Sequence, residues 1–252
     1  MELDLTAILL LSSTGFVAGI INTLAGGGSN LTLPALMMLG LPADIANGTN
    51  RVAVLMQGIV GVAGFDRHNS LDRPAVIPIL IPTIIGGIAG ALAAALLPNL
   101  YLKPVLLLSI LIMSAVILLR PSVMAPEPGT PTLSPRDNRA AWWGLFGAGI
   151  YGGFVQAGVG FMLLAALAGG LRYDLVRANA LKMASVMAFT VVSVAVFVVF
   201  DQVRWVPGLI LAAGTMAGAH LAVKFAVKAS PATIKWFLFV MTLFAVAGGF
   251  LL

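Results

Sequence analysis

The chain has 252 residues, 60% hydrophobic and 9% charged, with a mean hydropathy of +1.05. Ordinary soluble domains carry roughly 25% charged residues, so a sizeable soluble domain is excluded and lipid is the expected solvent. The net charge of +5 sits mostly at the ends of apolar segments, where it orients a membrane protein rather than binding nucleic acid; with no cysteine and only His68 and His220 as histidines, neither a disulfide, a thiolate site nor a histidine metal cluster is expected.

The N-terminal MELDLTAILLLSS carries Glu2 and Asp4 where a cleavable signal carries positive charge. It predicts a retained first helix. Crossing the hydrocarbon core takes about 20 apolar residues, and apolar segments run over 5–24, 29–40, 46–65, 74–97 and 103–119. From Pro121 follows PSVMAPEPGTPTLSPRDNRAA, too rich in proline for a helix and with little to bury. A second set then covers 141–155, 158–170, 178–200, 206–227 and 232–252. The chain thus divides into a first transmembrane repeat (1–120), a solvated linker (121–140) and a second repeat (141–252).

The two sets resemble each other. FVAGIINTLAGGGSNL from Phe16 lies over FGAGIYGGFVQAGVGF from Phe146 at an offset of 130, pairing Gly28 with Gly158; Gly40, Leu41 and Asp44 then meet Gly170, Leu171 and Asp174. One inserted residue later, ANGTNRV faces RANALKM and Arg51 falls over Lys182. Duplication explains the register.

Loop charge decides the topology. If residues 5–40 form one broken crossing, Lys and Arg divide evenly between the two sides. If instead the chain turns back at the glycines, Arg67, Arg73, Arg120, Arg136, Arg139, Arg172, Arg177, Lys224, Lys228 and Lys235 share one side, against Lys103 and Arg204 on the other. That is the bias of a cytoplasmic face. The hairpin reading places both termini outside and the linker in the cytoplasm, and it inverts the second half relative to the first. The expected fold is an all-α polytopic membrane protein of two inverted repeats, each of about five segments and each beginning with a broken hairpin helix.

The breaks are the candidate site. Unpaired backbone at membrane depth must face protein or a cavity. Gly26, Gly27 and Gly28 permit a sharp reversal, and a helix starting near Ser29 aims its positive dipole end at the turn, which favours an anion. Gln156, Gly158 and Gly160 form the partner turn, and paired interruptions are the best sequence pointer to a transport site. Arg51 and Lys182 each lie within two turns of a helix start, and an ionisable residue inside a span is a site hypothesis by default; snorkelling, or pairing with Asp44 and Asp174, is the alternative. Asn22, Thr23, Ser29, Asn30, Asn47, Thr49, Asn50 and Gln57 add polar groups to the first half, and Gln156, Asn179, Ser185, Thr190 and Ser193 are their thinner counterpart in the second. Asp44 and Asp174 follow short turns and read as N-caps, with proton coupling as their other reading. Gly15 with Gly19, Gly86 with Gly90, and Gly214 with Gly218 read as helix-packing pairs, and Trp142, Trp143, Trp205 and Trp236 as interfacial anchors. No nucleophile elbow, phosphate loop or HExxH pair is present. An enzyme is not expected, nor is direct drive by ATP.

Gly15 to Val54, GFVAGIINTLAGGGSNLTLPALMMLGLPADIANGTNRVAV, closely resembles the first signature of the sulfite exporter TauE/SafE family, also called the toluene sulfonate uptake permease family. The glycine run, Pro34 and the GTN-plus-cation element Gly48 to Arg51 carry the resemblance, and ALKM at Ala180 supplies the family's lysine. The resemblance implies transport of small sulfur-containing anions such as sulfite, thiosulfate or sulfonates, coupled to a proton or cation gradient and without a cofactor. The expectation is a secondary carrier working by alternating access; an anion channel and a non-transporting membrane subunit of a sulfur-metabolism complex are the alternatives.

Overall fold

A computed structural model describes residues 4–119, 126, 129–229 and 233. Among them there are helices and no strands. Helix α1 (Leu5–Leu24) starts where the Asp4 carboxylate accepts from the Ala7 amide at 2.8 Å. The short α2 (Ser29–Met38), the long α3 (Ala43–Arg67), α4 (Arg73–Leu96) and α5 (Asn99–Leu119) complete the first half. The second half repeats the pattern with α6 (Arg139–Phe154), α7 (Val159–Leu164) running into a π-helical turn (Ala165–Gly170), α8 (Leu175–Val199) and α9 (Trp205–Ala226). Helices α1, α4, α8 and α9 are long and apolar enough to cross a membrane. The segment expected over 232–252, with Trp236, lies outside the described residues apart from position 233.

Both breaks reverse the chain. Gly28 lies against Ala18 and Asn22 of α1, and Leu36 near the end of α2 shares an apolar cluster with Leu11 near the start of α1. Likewise the Asn138 amide, whose side chain caps α6, donates to the Gly170 carbonyl at 3.0 Å. Each half therefore opens with a helical hairpin. Backbone geometry follows the repeat closely: Ala25 and Gly26 both donate to Ile21 O, and Val155 and Gln156 both donate to Tyr151 O. Farther along, Asn69 and Asp201 share a φ of 54°, each ending a 25-residue helix. Helices α3 and α8 thus align at an offset of 132 rather than 131, since Asn47 matches Asn179 and Phe65 matches Phe197. Lys182 consequently stands at the position of Asn50, and Met183 at that of Arg51, which corrects the register expected from sequence.

The halves interlock instead of lying side by side. Gly19 of α1 packs on the Thr215 backbone of α9, and Gly149 of α6 packs on the Thr83 backbone of α4. Gly218 meets the Phe16 carbonyl just as Gly86 meets that of Phe146. All three glycine pairs picked out in the sequence, Gly15 with Gly19, Gly86 with Gly90 and Gly214 with Gly218, lie at these crossings, where a missing Cβ lets helices touch through their backbones. Outward from them, Ile77, Ile81, Ile85, Ile88 and Leu92 form an exposed apolar stripe on α4, as a lipid-facing surface requires. Trp143 and Trp205 are exposed near the first turns of their helices.

Loop contacts sort the charges into two ends. At one end the Tyr173 hydroxyl reaches Asp72 Oδ2 at 3.2 Å, Arg73 pairs with Asp66, and the Leu133 amide donates to the Leu171 carbonyl. At the other, Asn99 Nδ2 donates to Asp44 Oδ1 at 2.7 Å, Gln202 Nε2 to the Ala95 carbonyl, and the Arg204 amide to Thr49 Oγ1. Arg67, Arg73, Arg136, Arg139, Arg172 and Arg177 belong to the first end, Lys103 and Arg204 to the second. The described end of the linker is therefore anchored, with Pro135 buried, rather than a wholly solvated connector.

Substituting a crossing glycine tests this packing. Gly218→Val drives a side chain into the Phe16 carbonyl, and the expected cost is about 1–3 kcal/mol, read as a lowered thermal midpoint in detergent. Gly147→Ala, where an added Cβ meets nothing within 4 Å, should be neutral or gain up to about 1 kcal/mol.

Candidate functional site

The two turns meet each other at the centre of the protein. A Cβ on Gly26, whose φ is +98°, would overlap Gly160 Cα, and the Gly160 amide donates to the Gly26 carbonyl at 3.3 Å. Only glycine fits this approach at both positions. In the second turn Gln156 and Gly158 also adopt positive φ, and a side chain on Gly158 would strike Met113 of α5. Gly28 stands at the N-cap of α2 and supplies no side-chain cap, while the Gly27 carbonyl closes the first turn by accepting from the Asn30 amide at 3.1 Å.

Arg51 and Lys182 are both 0% exposed. Neither snorkels, and neither pairs with Asp44 or Asp174. Arg51, from α3, reaches into the second half: it donates to the Gly152 and Gly153 carbonyls, to Gln156 Oε1 and, within its own helix, to Asn47 Oδ1. Its guanidinium also lies 5.4 Å from the centre of the Phe197 ring. Lys182, from α8, reaches into the first half and donates to the Asn22 carbonyl at 3.0 Å, the Thr23 carbonyl at 2.8 Å and Asn179 Oδ1 at 2.7 Å. Asn22 and Thr23 correspond to Gly152 and Gly153 at the offset of 130. Each cation therefore grips the same pair of carbonyls at the end of the other half's first helix, where the helix dipole is negative.

Two of the neighbouring amides, Gln156 and Asn179, act as acceptors only. Gln156 Oε1 serves Arg51, while Gln156 Nε2 is buried without a partner among the described residues; Asn179 Oδ1 serves Lys182, while Asn179 Nδ2 is buried and equally unpartnered. Glutamate or aspartate at these places would pair each cation and remove these two orphan donors. The described interior holds two cations and no carboxylate salt bridge to either.

Around Lys182 the first half is polar. Asn22 Nδ2 donates to Gln57 Oε1 at 3.1 Å, and Gln57 Nε2 donates to Thr23 Oγ1 and to the Gly19 carbonyl. Beside it, Asn50 Nδ2 donates to Ser29 Oγ at 3.1 Å and Asn50 Oδ1 accepts from Thr32 at 2.6 Å, with Asn30 fully buried next in the chain. Among the described residues the second half has no such network. Gly152, Gly153 and Phe189 stand where Asn22, Thr23 and Gln57 stand in the first, and the Phe189 ring fills the space over Gly152.

Three predicted residues lie elsewhere. Thr49 faces the loop before α9, accepting from the Arg204 amide at 2.9 Å. Asp174 caps α8, accepting from the Val176 and Arg177 amides, and pairs with Arg177 at 2.6 Å. Asp44 is not the cap of α3, a place held by Pro42; its carboxylate binds Asn99. The two carboxylates sit at opposite ends of the molecule. Sequence reasoning left out the roles of Gly152, Gly153 and Thr32, and of Gln57 as the hub joining Asn22 to Thr23. The register of the repeat held the signal for the first two, since it sets them opposite Asn22 and Thr23.

The profile of the sulfite exporter TauE/SafE family matches residues 11–248. The chain belongs to that family of membrane transporters. It is 28% identical over 251 residues to a probable membrane transporter protein of Haemophilus influenzae, covering 96% of this chain and 94% of that one. To the probable membrane transporter protein ORF9 of a Sinorhizobium species it is 25% identical over 250 residues, covering 96% and 92%. No solved structure gives a significant match.

Replacing either amide by its acid tests whether the buried cations lack a counter-ion. Gln156→Glu and Asn179→Asp should each stabilise the protein by about 1–3 kcal/mol, since a charged acceptor replaces a neutral one and an unpartnered donor disappears. Thermal unfolding at neutral pH reads the change, and a lower midpoint in both would contradict it.

Proposed function

We propose that the protein is a secondary carrier of small sulfur-containing anions, sulfite, thiosulfate or organosulfonates, bound between the two glycine turns. The observation that carries this reading is the pair of buried cations whose side-chain neighbours are amides where carboxylates would hold them better. A site built for its own stability would neutralise them; a site kept for an anion leaves the charge available. Arg51 and Lys182 supply that charge, and Gln156 supplies a buried N–H. Ser29, Asn30, Asn50 and the uncapped start of α2 orient oxygens, with Asn22, Gly26, Gly27, Gly28, Gly158 and Gly160 shaping the cleft between the turns.

The substrate class rests on the family and on this charge. Alternating access is supported by the two cations, because each bond they make to a carbonyl crosses from one half to the other and must rearrange if one half rocks on the other. Reciprocal packing of α1 on α9 and of α6 on α4 supports two inverted repeats, 1–120 and 141–252, joined by the linker 121–140. The basic end is the cytoplasmic face of the cell membrane, with the linker on it and both termini outside.

Proteoliposomes charged with unlabelled substrate should take up labelled sulfite or an alkylsulfonate by counterflow, with saturation. Gln156→Glu and Asn179→Asp should lose at least tenfold in apparent affinity while remaining folded. Flux that neither saturates nor shows counterflow identifies a channel, and absence of flux and binding identifies a non-transporting subunit. The topology has its own test, because the chain contains no cysteine: Pro131→Cys in spheroplasts should resist an impermeant maleimide that labels Lys103→Cys, and the opposite pattern reverses the orientation.

A further inference from the structure

We propose that Lys182 carries the coupling proton, taking it up with the anion and releasing it after the anion leaves. This rests on the carrier reading above and assigns the driving ion to a group in the same site. An ammonium has three N–H bonds, and Lys182 meets three acceptors, the carbonyls of Asn22 and Thr23 and the side-chain oxygen of Asn179, at 2.7–3.0 Å with no exposure. Two of the three belong to the broken end of α1 in the opposite half. Carbonyls at the C-terminal end of an interrupted membrane helix are where carriers hold a coupling cation; here the protein's own ammonium fills that place.

The charged groups on the surrounding elements leave the role to this lysine. Helix α1 and α2 have no titratable side chain within Leu5–Leu24 and Ser29–Met38. On α3, Arg51 donates to Gly152, Gly153, Gln156 and Asn47, Asp44 binds Asn99, Asp66 binds Arg73, and Arg67 closes the far turn. On α8, Arg177 is held by Asp174. On α6, the Tyr151 hydroxyl donates to the Ala157 carbonyl and Arg139 opens the helix; on α4 the charged residue is Arg73. His220 of α9 faces outward and Lys224 lies in its last turn. No carboxylate thus faces the Lys182 ammonium among the described residues; its acceptors are all neutral. A guanidinium such as that of Arg51 does not release a proton in a protein, whereas a buried lysine without a fixed counter-charge can.

The cycle is balanced. With the anion bound, Nζ keeps its third proton and the pair moves with one negative charge neutralised. Once the anion has gone, one N–H bond breaks, the proton passes to water on the open side, and the lone pair stays on Nζ. The neutral amine keeps two hydrogens for the α1 carbonyls, so the empty carrier returns without that charge. One proton accompanies each anion.

The experiment uses full-length protein in proteoliposomes containing a pH-reporting dye, with ethanesulfonate as substrate because its charge is constant around neutrality. Wild type should accumulate it when the outside is made acidic, and the lumen should acidify as it enters. Lys182→Arg keeps the positive charge without a releasable proton. It should lose accumulation driven by the pH step, and with it the acidification of the lumen. Asp44→Asn and Asp174→Asn should retain that accumulation. Proton-driven accumulation by Lys182→Arg, or its loss in either aspartate variant, overturns the proposal. Should the arginine variant not insert, wild type decides: uptake without lumen acidification overturns proton carriage while leaving the carrier reading intact, whereas absence of both binding and counterflow for sulfonate and sulfite overturns both.

Discussion

Two buried cations that meet no carboxylate among the described residues are the constraint around which this protein is arranged. A charge within a membrane span costs at least about 2.5 kcal/mol on insertion scales, so each needs a dense set of oxygen acceptors. The chain provides them by breaking a helix. Ending α1 at Leu24 and α6 at Phe154 exposes carbonyls that a continuous helix would keep to itself, and Arg51 and Lys182 occupy them from the opposite half. The glycine turns follow from the same need, since the two broken ends converge only if their backbones come into direct contact at Gly26 and Gly160.

This arrangement makes the two halves mutually dependent. Neither cation finds its carbonyls within its own half, and α1 and α6 each lie along a helix of the other repeat. The interface therefore contains both the close glycine crossings and the polar centre. Apolar clusters surround that centre: Leu145, Leu163, Leu167 and Phe189 gather on one side, and Ile21, Leu24, Phe65 and Met183 on another. The polar groups have little room to exchange partners except with one another or with a ligand.

Much of this was legible in the sequence, for identifiable reasons. Apolar runs interrupted by glycine fixed the hairpins, because hydrocarbon tolerates irregular backbone only inside protein. Charge asymmetry grouped Arg67, Arg73, Arg136, Arg139, Arg172 and Arg177 apart from Lys103 and Arg204, and the loop contacts group these residues the same way. The family's signature pointed to the first turn and to both cations. What stayed hidden was direction. A sequence shows that Arg51 is buried but not that its donors face carbonyls, which bear no side-chain signal; and a single-residue error in aligning the halves set Arg51 over Lys182, although equivalence lies in their targets and not in their positions. Thr49 and Asp44 were placed by proximity in the chain, and α3 turns them toward the loops before α9 and α5 instead.

The exchange of Gln57 for Phe189 at matching positions has a consequence for energetics. In a duplicated protein with identical inverted halves, tipping one way or the other would give conformations related by a two-fold rotation and equal in free energy. Here one half surrounds its broken helix with hydrogen-bonding amides and the other seals the matching space with an aromatic ring. For a carrier that opens alternately to the two sides, the two end conformations are thus hydrated differently when open. On the carrier reading proposed above, their populations at rest are unequal, and the unliganded protein has a preferred orientation written into its core.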